Sequence, residues 1–416
     1  MNLSQKILFI LTCVYIMLFP LIPQEIKFKG VHFNDLALGI IFFAYLINIV
    51  GSRESRKNFI NNLISFFTDK LSIFMVVLLA IMIISTLYAV DKSLALSESA
   101  RFITYIFLYF IIKYEFNNEK QINILIGCYI VTSFVLSSIG IVQHFTGSAL
   151  GANFVKVYDI GGSLKITSTL SHPNTYAAYL VLAIFPLFML SIYEKNKNKK
   201  ILYILLSALV FVNLLMTFSR NALLGFILGI VLLALIYSIK LMFALGGFGI
   251  LTLFIPSVFH RVMDITSVAQ NESRIKLWKT ALMMIKEHPI LGVGNGNFVT
   301  QYDTYIVKYR LDYNSYTHYP AHNSYLKVQS ELGLIGIISF LGVIITALFR
   351  VKAVYSSTKN DFHRAFYMGV MASMVAFLFM NLSDNLFFVP KATTYFWFLL
   401  ATAEALLNNR PRRIFH

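Results

Sequence analysis

The sequence predicts an all-α polytopic membrane protein of about twelve transmembrane helices, with a helical outer loop before the third-last span. Three observations carry that expectation. Hydrophobic residues make up 57% of the 416-residue chain and charged residues 13%, with a mean hydropathy of +0.70; a soluble protein covers its surface with about 25% charged residues. The apolar residues fall in blocks of roughly 18 to 24, long enough as helices to cross about 30 Å of hydrocarbon. The blocks are unbroken, whereas barrel strands in lipid need alternation.

The expected spans are 6–23, 32–50, 71–89, 101–114, 122–144, 174–193, 200–218, 221–239, 241–259, 331–350, 364–382 and 392–408. The first run, Ile7 to Pro23, lacks a small-x-small cleavage site and contains Pro20 and Pro23. It reads as a retained helix rather than a signal peptide. Cys13 and Cys128 both lie inside apolar runs and read as packing residues, so no disulfide framework is implied.

Basic residues give the orientation. Arg53, Arg56 and Lys57 precede the third span, and Lys195, Lys197, Lys199 and Lys200 separate the sixth from the seventh. Arg350, Lys352, Lys359 and Arg364 separate the tenth from the eleventh, and Arg410, Arg412 and Arg413 close the sequence. An even span count puts all four groups on one side, which the positive-inside rule makes cytoplasmic, with both termini. The net charge of +16 then reflects this bias and attraction to anionic membrane lipids. Nucleic acid is not an expected partner, because the basic residues are scattered over short loops rather than gathered in a stripe.

The whole chain, 1–416, reads as a single transmembrane domain. Two longer segments fall outside: Phe145 to His172, and a periplasmic helical loop over 260–330. Within the loop, Glu272 to His288 reads as an amphipathic helix with Ile275, Trp278, Leu282 and Ile285 on one stripe. Lys276, Lys279 and Lys286 lie on the other side or its flank, and Arg274 falls beside Trp278. Such a helix either lies on the membrane surface or caps a cavity with Arg274 pointing inward. Pro289 and the glycines Gly292, Gly294 and Gly296 end it in a turn.

Common catalytic signatures are missing from the sequence. The glycine run follows a helix and lacks the Lys-Ser/Thr of a phosphate-binding loop. His318 and His322 are split by Pro320, and no nearby carboxylate completes a ligand set, so no metal site and no cofactor is expected. What stands out is a set of polar residues at outward helix ends: Arg220 between the seventh and eighth spans, His172 and Asn174 opening the sixth, and His322 and Asn323 leading into the tenth. Arg220 at a span mouth is costly unless it meets an anion, water or a lipid headgroup. His172 precedes Pro173 at an ordinary helix start. Tyr302, Tyr305, Tyr309, Tyr313 and Tyr316 form a run suited either to an interfacial aromatic belt or to stacking against sugar rings.

Together these features resemble the O-antigen ligase and Wzy polymerase superfamily of bacterial membrane glycosyltransferases. The resemblance rests on His172-Pro-Asn174, Thr217-Phe-Ser-Arg220, Arg274-xxx-Trp278, His288-Pro-Ile-Leu-Gly-Val-Gly-Asn295, and His322-Asn-Ser-Tyr-Leu326 with its Glu-Leu-Gly-Leu-Ile-Gly sequel. It covers roughly residues 70 to 405. It implies a GT-C-like bundle in the cytoplasmic (inner) membrane and metal-independent, inverting transfer of a glycan from an undecaprenyl-diphosphate carrier to a hydroxyl acceptor. The acceptor is lipid A core in ligases, another carrier-linked repeat in polymerases, and a protein hydroxyl in related enzymes.

The implied roles are Arg220 and Arg274 on the diphosphate and His322 as general base, with His172, Asn174, Asn323 and Trp278 in substrate binding. Ligase-type transfer is the leading expectation and repeat-unit polymerisation the alternative. A polysaccharide transporter fits less well, since its ionisable groups would lie near the bilayer midplane.

Overall fold

The computed structural model describes residues 3–23, 27–28, 31–116, 118–147, 158–160, 163–238, 247, 268–310 and 319–408. The first half of the chain gives α1 (Leu3–Leu21), α2 (Phe33–Gly51), α3 (Arg53–Thr68), α4 (Lys70–Ile84), α5 (Lys92–Glu115), α6 (Glu119–Thr146), α7 (Pro173–Tyr193) and α8 (Lys197–Met216). The second gives α9 (Arg220–Ile236), α10 (Val268–Glu287), α11 (Phe298–Lys308), α12 (Ser324–Ser357), α13 (Asp361–Met380) and α14 (Pro390–Asn408). Two short antiparallel hairpins, Lys27–Phe28 with Val31–His32 and Tyr158–Ile160 with Ser163–Lys165, are the only strands among the described residues.

The all-α polytopic architecture is as expected. By length and composition, eight helices among the described residues can cross a membrane, or nine if the bent pair α2–α3 is counted as one span. The expected span at 241–259 lies outside the described residues. At 17 residues α9 is short for a crossing, and α14 carries Lys391 and Glu404, both buried against neighbouring helices. The sequence reading passed over α3. It bends 115° away from α2, and it is too polar to register as a span (Arg-Glu-Ser-Arg-Lys-Asn at its start).

Lipid-facing and buried helices separate by their exposed residues. α2 leaves Phe43, Ile47 and Val50 exposed and α8 leaves Leu202 and Leu205 exposed, so each has one apolar face turned outward. In α7, α13 and α14 nearly every residue is buried, as expected of helices that are hydrophobic all round and form the centre of the bundle.

Loop contacts fix which helix ends lie together. Lys195 between α7 and α8 pairs with Asp361 at the start of α13 (2.8 Å), and Asn360 donates to Glu119 at the start of α6 (2.6 Å). Nearby, Lys113 sits between Asp69 (3.3 Å) and Glu404 (2.8 Å), while Arg350 pairs with Asp69 and, at 3.1 Å, with Glu404. These buried cations are matched by carboxylates, as charges in an apolar surround must be. The basic loops between α7 and α8 and between α12 and α13 therefore share one end of the bundle.

At the other end, α12 is broken at Gly333 (φ 65°, ψ −160°). The break lets the turn after α10 dock: Val293 and Gly294 donate to the Ser330 and Glu331 carbonyls (2.9 Å each), and Leu334 donates to the Pro289 carbonyl (2.9 Å). The Glu331 carboxylate accepts from the Gly296 (2.8 Å) and Phe298 (3.2 Å) amides and pairs with Lys327 (2.5 Å). The His288–Asn295 motif and the Glu331–Gly336 motif are thus two halves of one interlock. A Cβ on Gly333 would lie 2.1 Å from the Ile290 carbonyl oxygen, and one on Gly292 would lie 2.3 Å from Glu331 backbone. Gly333→Ala is expected to destabilise the protein by at least ~3 kcal/mol. Gly39→Ala, which meets nothing within 4 Å, serves as the neutral comparison in a thermal unfolding assay.

Candidate functional site

Four helix ends converge around Asp384, in the linker between α13 and α14. His172 is the N-cap of α7, its Nδ1 accepting from the Asn174 amide (3.1 Å). Asn174, in the first turn, donates from Nδ2 to Asp384 Oδ2 (2.9 Å) and accepts at Oδ1 from Ser219 Oγ (2.9 Å). Ser219 immediately precedes Arg220, the first residue of α9, and Asn221 donates to the Met380 carbonyl (2.7 Å). Asn323 caps α12, its Oδ1 accepting from the Tyr325 and Leu326 amides (3.0 Å each).

His322, one residue before that cap, places Nδ1 3.3 Å from Asp384 Oδ1. Its backbone is left-handed (φ 46°), a strained conformation for a residue with a Cβ. Neighbouring bonds hold it there. Trp278 Nε1 donates to the His322 carbonyl (3.3 Å), the Asn323 amide to Asn385 Oδ1 (3.1 Å), and Ser324 Oγ to Asn381 Oδ1 (2.6 Å). Phe218 (φ 49°) and Ser171 (φ 60°), beside Arg220 and His172, have left-handed backbones too. Such strain is seen where surrounding structure overdetermines a geometry.

Asp384 has both oxygens engaged, Oδ1 also accepting from the Asn385 amide (2.8 Å). Burial alone pushes its carboxyl group up. The hydrogen bond and charge of His322, the Asn385 amide and the Arg274 charge more than reverse this, so the carboxyl is held below its ordinary value. Asp384 is therefore an anion at neutral pH. An anion at that position favours the imidazole tautomer with the proton on Nδ1, leaving Nε2 as the basic nitrogen.

Beside this dyad is a cavity of about 350 Å³ lined by Arg220, Asn221, Leu224, Arg274, Ile275, Trp278 and Ser383. The structure thus brings together Arg220, Arg274 and Trp278 around one space. His322 borders it through Trp278 and through Asp384, the neighbour of Ser383. Asn174 reaches it through Asp384. His172 and Asn323 cap helices at the same end, and neither is among the described residues that line the cavity. His318, Tyr313 and Tyr316 lie outside the described residues.

α10 packs on α11 through a row beside the apolar stripe. Leu277, Ala281 and Met284 are buried against Phe298, Tyr302 and Tyr305 of α11, while Ile275 (42%) and Leu282 (53%) are exposed. The same contact is clamped by Glu287 at the end of α10, which accepts from Tyr305 (2.9 Å) and Tyr309 and pairs with Lys308 (2.5 Å). Lys308 foremost, then Tyr309 and Tyr305, hold the Glu287 carboxyl down to about 2.

A depressed carboxyl adds stability that is complete above its unfolded pKa of about 4.3 and fades as pH falls toward the folded value. Glu287→Gln is therefore expected to loosen α11 at pH 7, read as faster hydrogen exchange over 298–308. The gap from wild type should close only as pH drops from about 4 toward 2.

Sequence reasoning missed Asp384. The signal was there: it is the only acidic residue between Asp361 and Glu404, set in a polar Asn-Leu-Ser-Asp-Asn turn between two apolar spans, and an isolated carboxylate at a membrane boundary warrants a functional reading.

Residues 205–341 match a family model described as O-antigen ligase. That segment is similar to the O-antigen ligase family. The matched segment runs from α8 into α12 and contains Arg220, Arg274, Trp278 and His322. Asn174 and Asp384 come from elements on either side of the matched segment, so the convergent site is built by more of the chain than that segment. A comparison with curated proteins finds no match.

Proposed function

We propose that this protein transfers a glycan from undecaprenyl diphosphate to a hydroxyl acceptor, at the outer face of the bacterial cytoplasmic membrane, by ligase-type chemistry. The observation that carries the reading is the pairing of an anion-held histidine, His322 on Asp384, with a cavity lined by two arginines. The chemistry asks for both. The acceptor hydroxyl attacks the anomeric carbon and gives its proton to His322 Nε2. The bond from that carbon to the carrier oxygen breaks, and undecaprenyl diphosphate leaves as an anion.

Arg220 and Arg274 neutralise the departing diphosphate, the planar guanidinium being suited to two phosphate oxygens. The N-termini of α7, α9 and α12 add partial positive charge around the same space. Attack opposite the leaving group inverts the anomeric centre. The scheme assigns its roles to His322, Asp384, Arg220 and Arg274 and calls on no metal. The basic loops at the far end of the bundle support a cytoplasmic position for that end and for both termini.

The test is an acceptor panel offered to purified protein with a synthetic undecaprenyl-diphosphate oligosaccharide in EDTA. Transfer to lipid A core or another surface hydroxyl is the expected result. Extension of a second carrier-linked unit in its place would identify a repeat-unit polymerase, and loss of transfer in EDTA would overturn the metal-free scheme.

A further inference from the structure

At the opposite end of the bundle from His322 lies a second and larger cavity, of about 420 Å³. Gln5 from the first turn of α1, Asn58 and Asn62 of α3, Tyr114 and Glu115 at the end of α5, and Gln121 at the start of α6 line it. Asn58 and Asn62 are four residues apart and share one face of α3. The other side of that helix leaves Ile60, Leu63, Ile64 and Phe67 exposed. With its 115° bend from α2, α3 lies along the end of the bundle, apolar side outward, as a helix at a lipid–water boundary does. The cavity is therefore a polar recess at headgroup depth.

Its chemistry is selective. No lysine or arginine is among the described residues that line it, although the protein carries a net charge of +16. Glu115 forms no ion pair among the described residues; it accepts from Tyr45 Oη (3.1 Å) and from the Asn62 side chain. Side-chain amides both donate and accept, and a carboxylate accepts from paired hydroxyls. A phosphate would meet the Glu115 charge with no cation to offset it. A volume within the ~300–1,000 Å³ range of small-molecule sites suits one or two sugar rings.

We propose that this recess binds an uncharged sugar, presented either as the headgroup of a glycolipid or as a free saccharide. The site is separate from the transfer machinery and stands or falls independently of it.

The experiment places the full-length protein in phosphatidylcholine nanodiscs containing a minor fraction of glucosyl diacylglycerol. It reads retained lipid by native mass spectrometry and hydrogen exchange over 53–68 and 114–121. One bound glycolipid with slowed exchange in both segments is expected. Asn58→Ala, at an exposed position that leaves folding intact, and the isosteric Glu115→Gln should each weaken binding at least about tenfold. Methyl glucoside in solution distinguishes the sources: competition assigns a free-sugar site, and absence of competition assigns a lipid-headgroup site. Retention that is unchanged in both variants, no retention by wild type, or preference for phosphatidylglycerol would overturn the proposal.

Discussion

His322→Ala is expected to lower glycan transfer by at least about 10³-fold while leaving the protein folded and donor binding nearly unchanged. The side chain lies at the surface of the converging helix ends, about 30% exposed. Its imidazole contributes one described bond, to Asp384, while the backbone of the site is held by Asn323, Ser324 and Trp278. Removing it therefore takes away proton transfer and little else.

Asp384→Asn should cost about 10²- to 10⁴-fold. An amide at that position can donate to Nδ1 and so favour the wrong tautomer. It also removes the anion that stabilises the imidazolium formed as the acceptor proton arrives. The double variant should be little worse than His322→Ala alone, because the two residues act as one unit. Additive losses would show that Asp384 acts elsewhere, through Asn174 for example. The depressed carboxyl of Asp384 keeps it ionised through the neutral range, so it can hold the imidazole in place there.

Arg220→Ala is expected to reduce kcat by about 10²- to 10³-fold, the cost of losing one fixed donor to a developing anion. Arg274→Ala should fall in the same range. The lysine replacements discriminate. Lysine keeps the charge and loses the fork, so Arg220→Lys should retain partial activity if the arginine holds two phosphate oxygens. Full activity in Arg220→Lys would mean that only charge is needed, and near-normal activity in Arg220→Ala would remove the residue from the reaction. Arg274 also helps hold Asp384 ionised.

Much of the fold was legible because lipid imposes a simple code. Unbroken apolar blocks must be helices, and α7, α12 and α13 lie where their blocks place them. α3 was invisible to that code, since an interfacial helix needs only a half-apolar surface. The arginines and histidines stood out because an ionisable group in an apolar chain demands a partner. Asp384 did not, because a single acid in a turn has the look of an ordinary loop residue; only folding brings it from beyond α13 to the starts of α7 and α12.

The glycine motif was read as a turn, which it is. Its docking against the break at Gly333 required two segments some forty residues apart to meet, and no local pattern carries that information.

Release of undecaprenyl diphosphate in a single turnover tests the pairing of His322 with the two arginines. Purified protein, synthetic donor and acceptor are mixed in EDTA, and wild type is compared with His322→Ala and Arg220→Ala of verified fold. Acceptor-dependent release by wild type is expected, with inversion at the anomeric carbon, and release slowed by at least about 10²-fold in Arg220→Ala and 10³-fold in His322→Ala. Release by His322→Ala at the wild-type rate, or retained anomeric configuration in the product, would contradict that expectation.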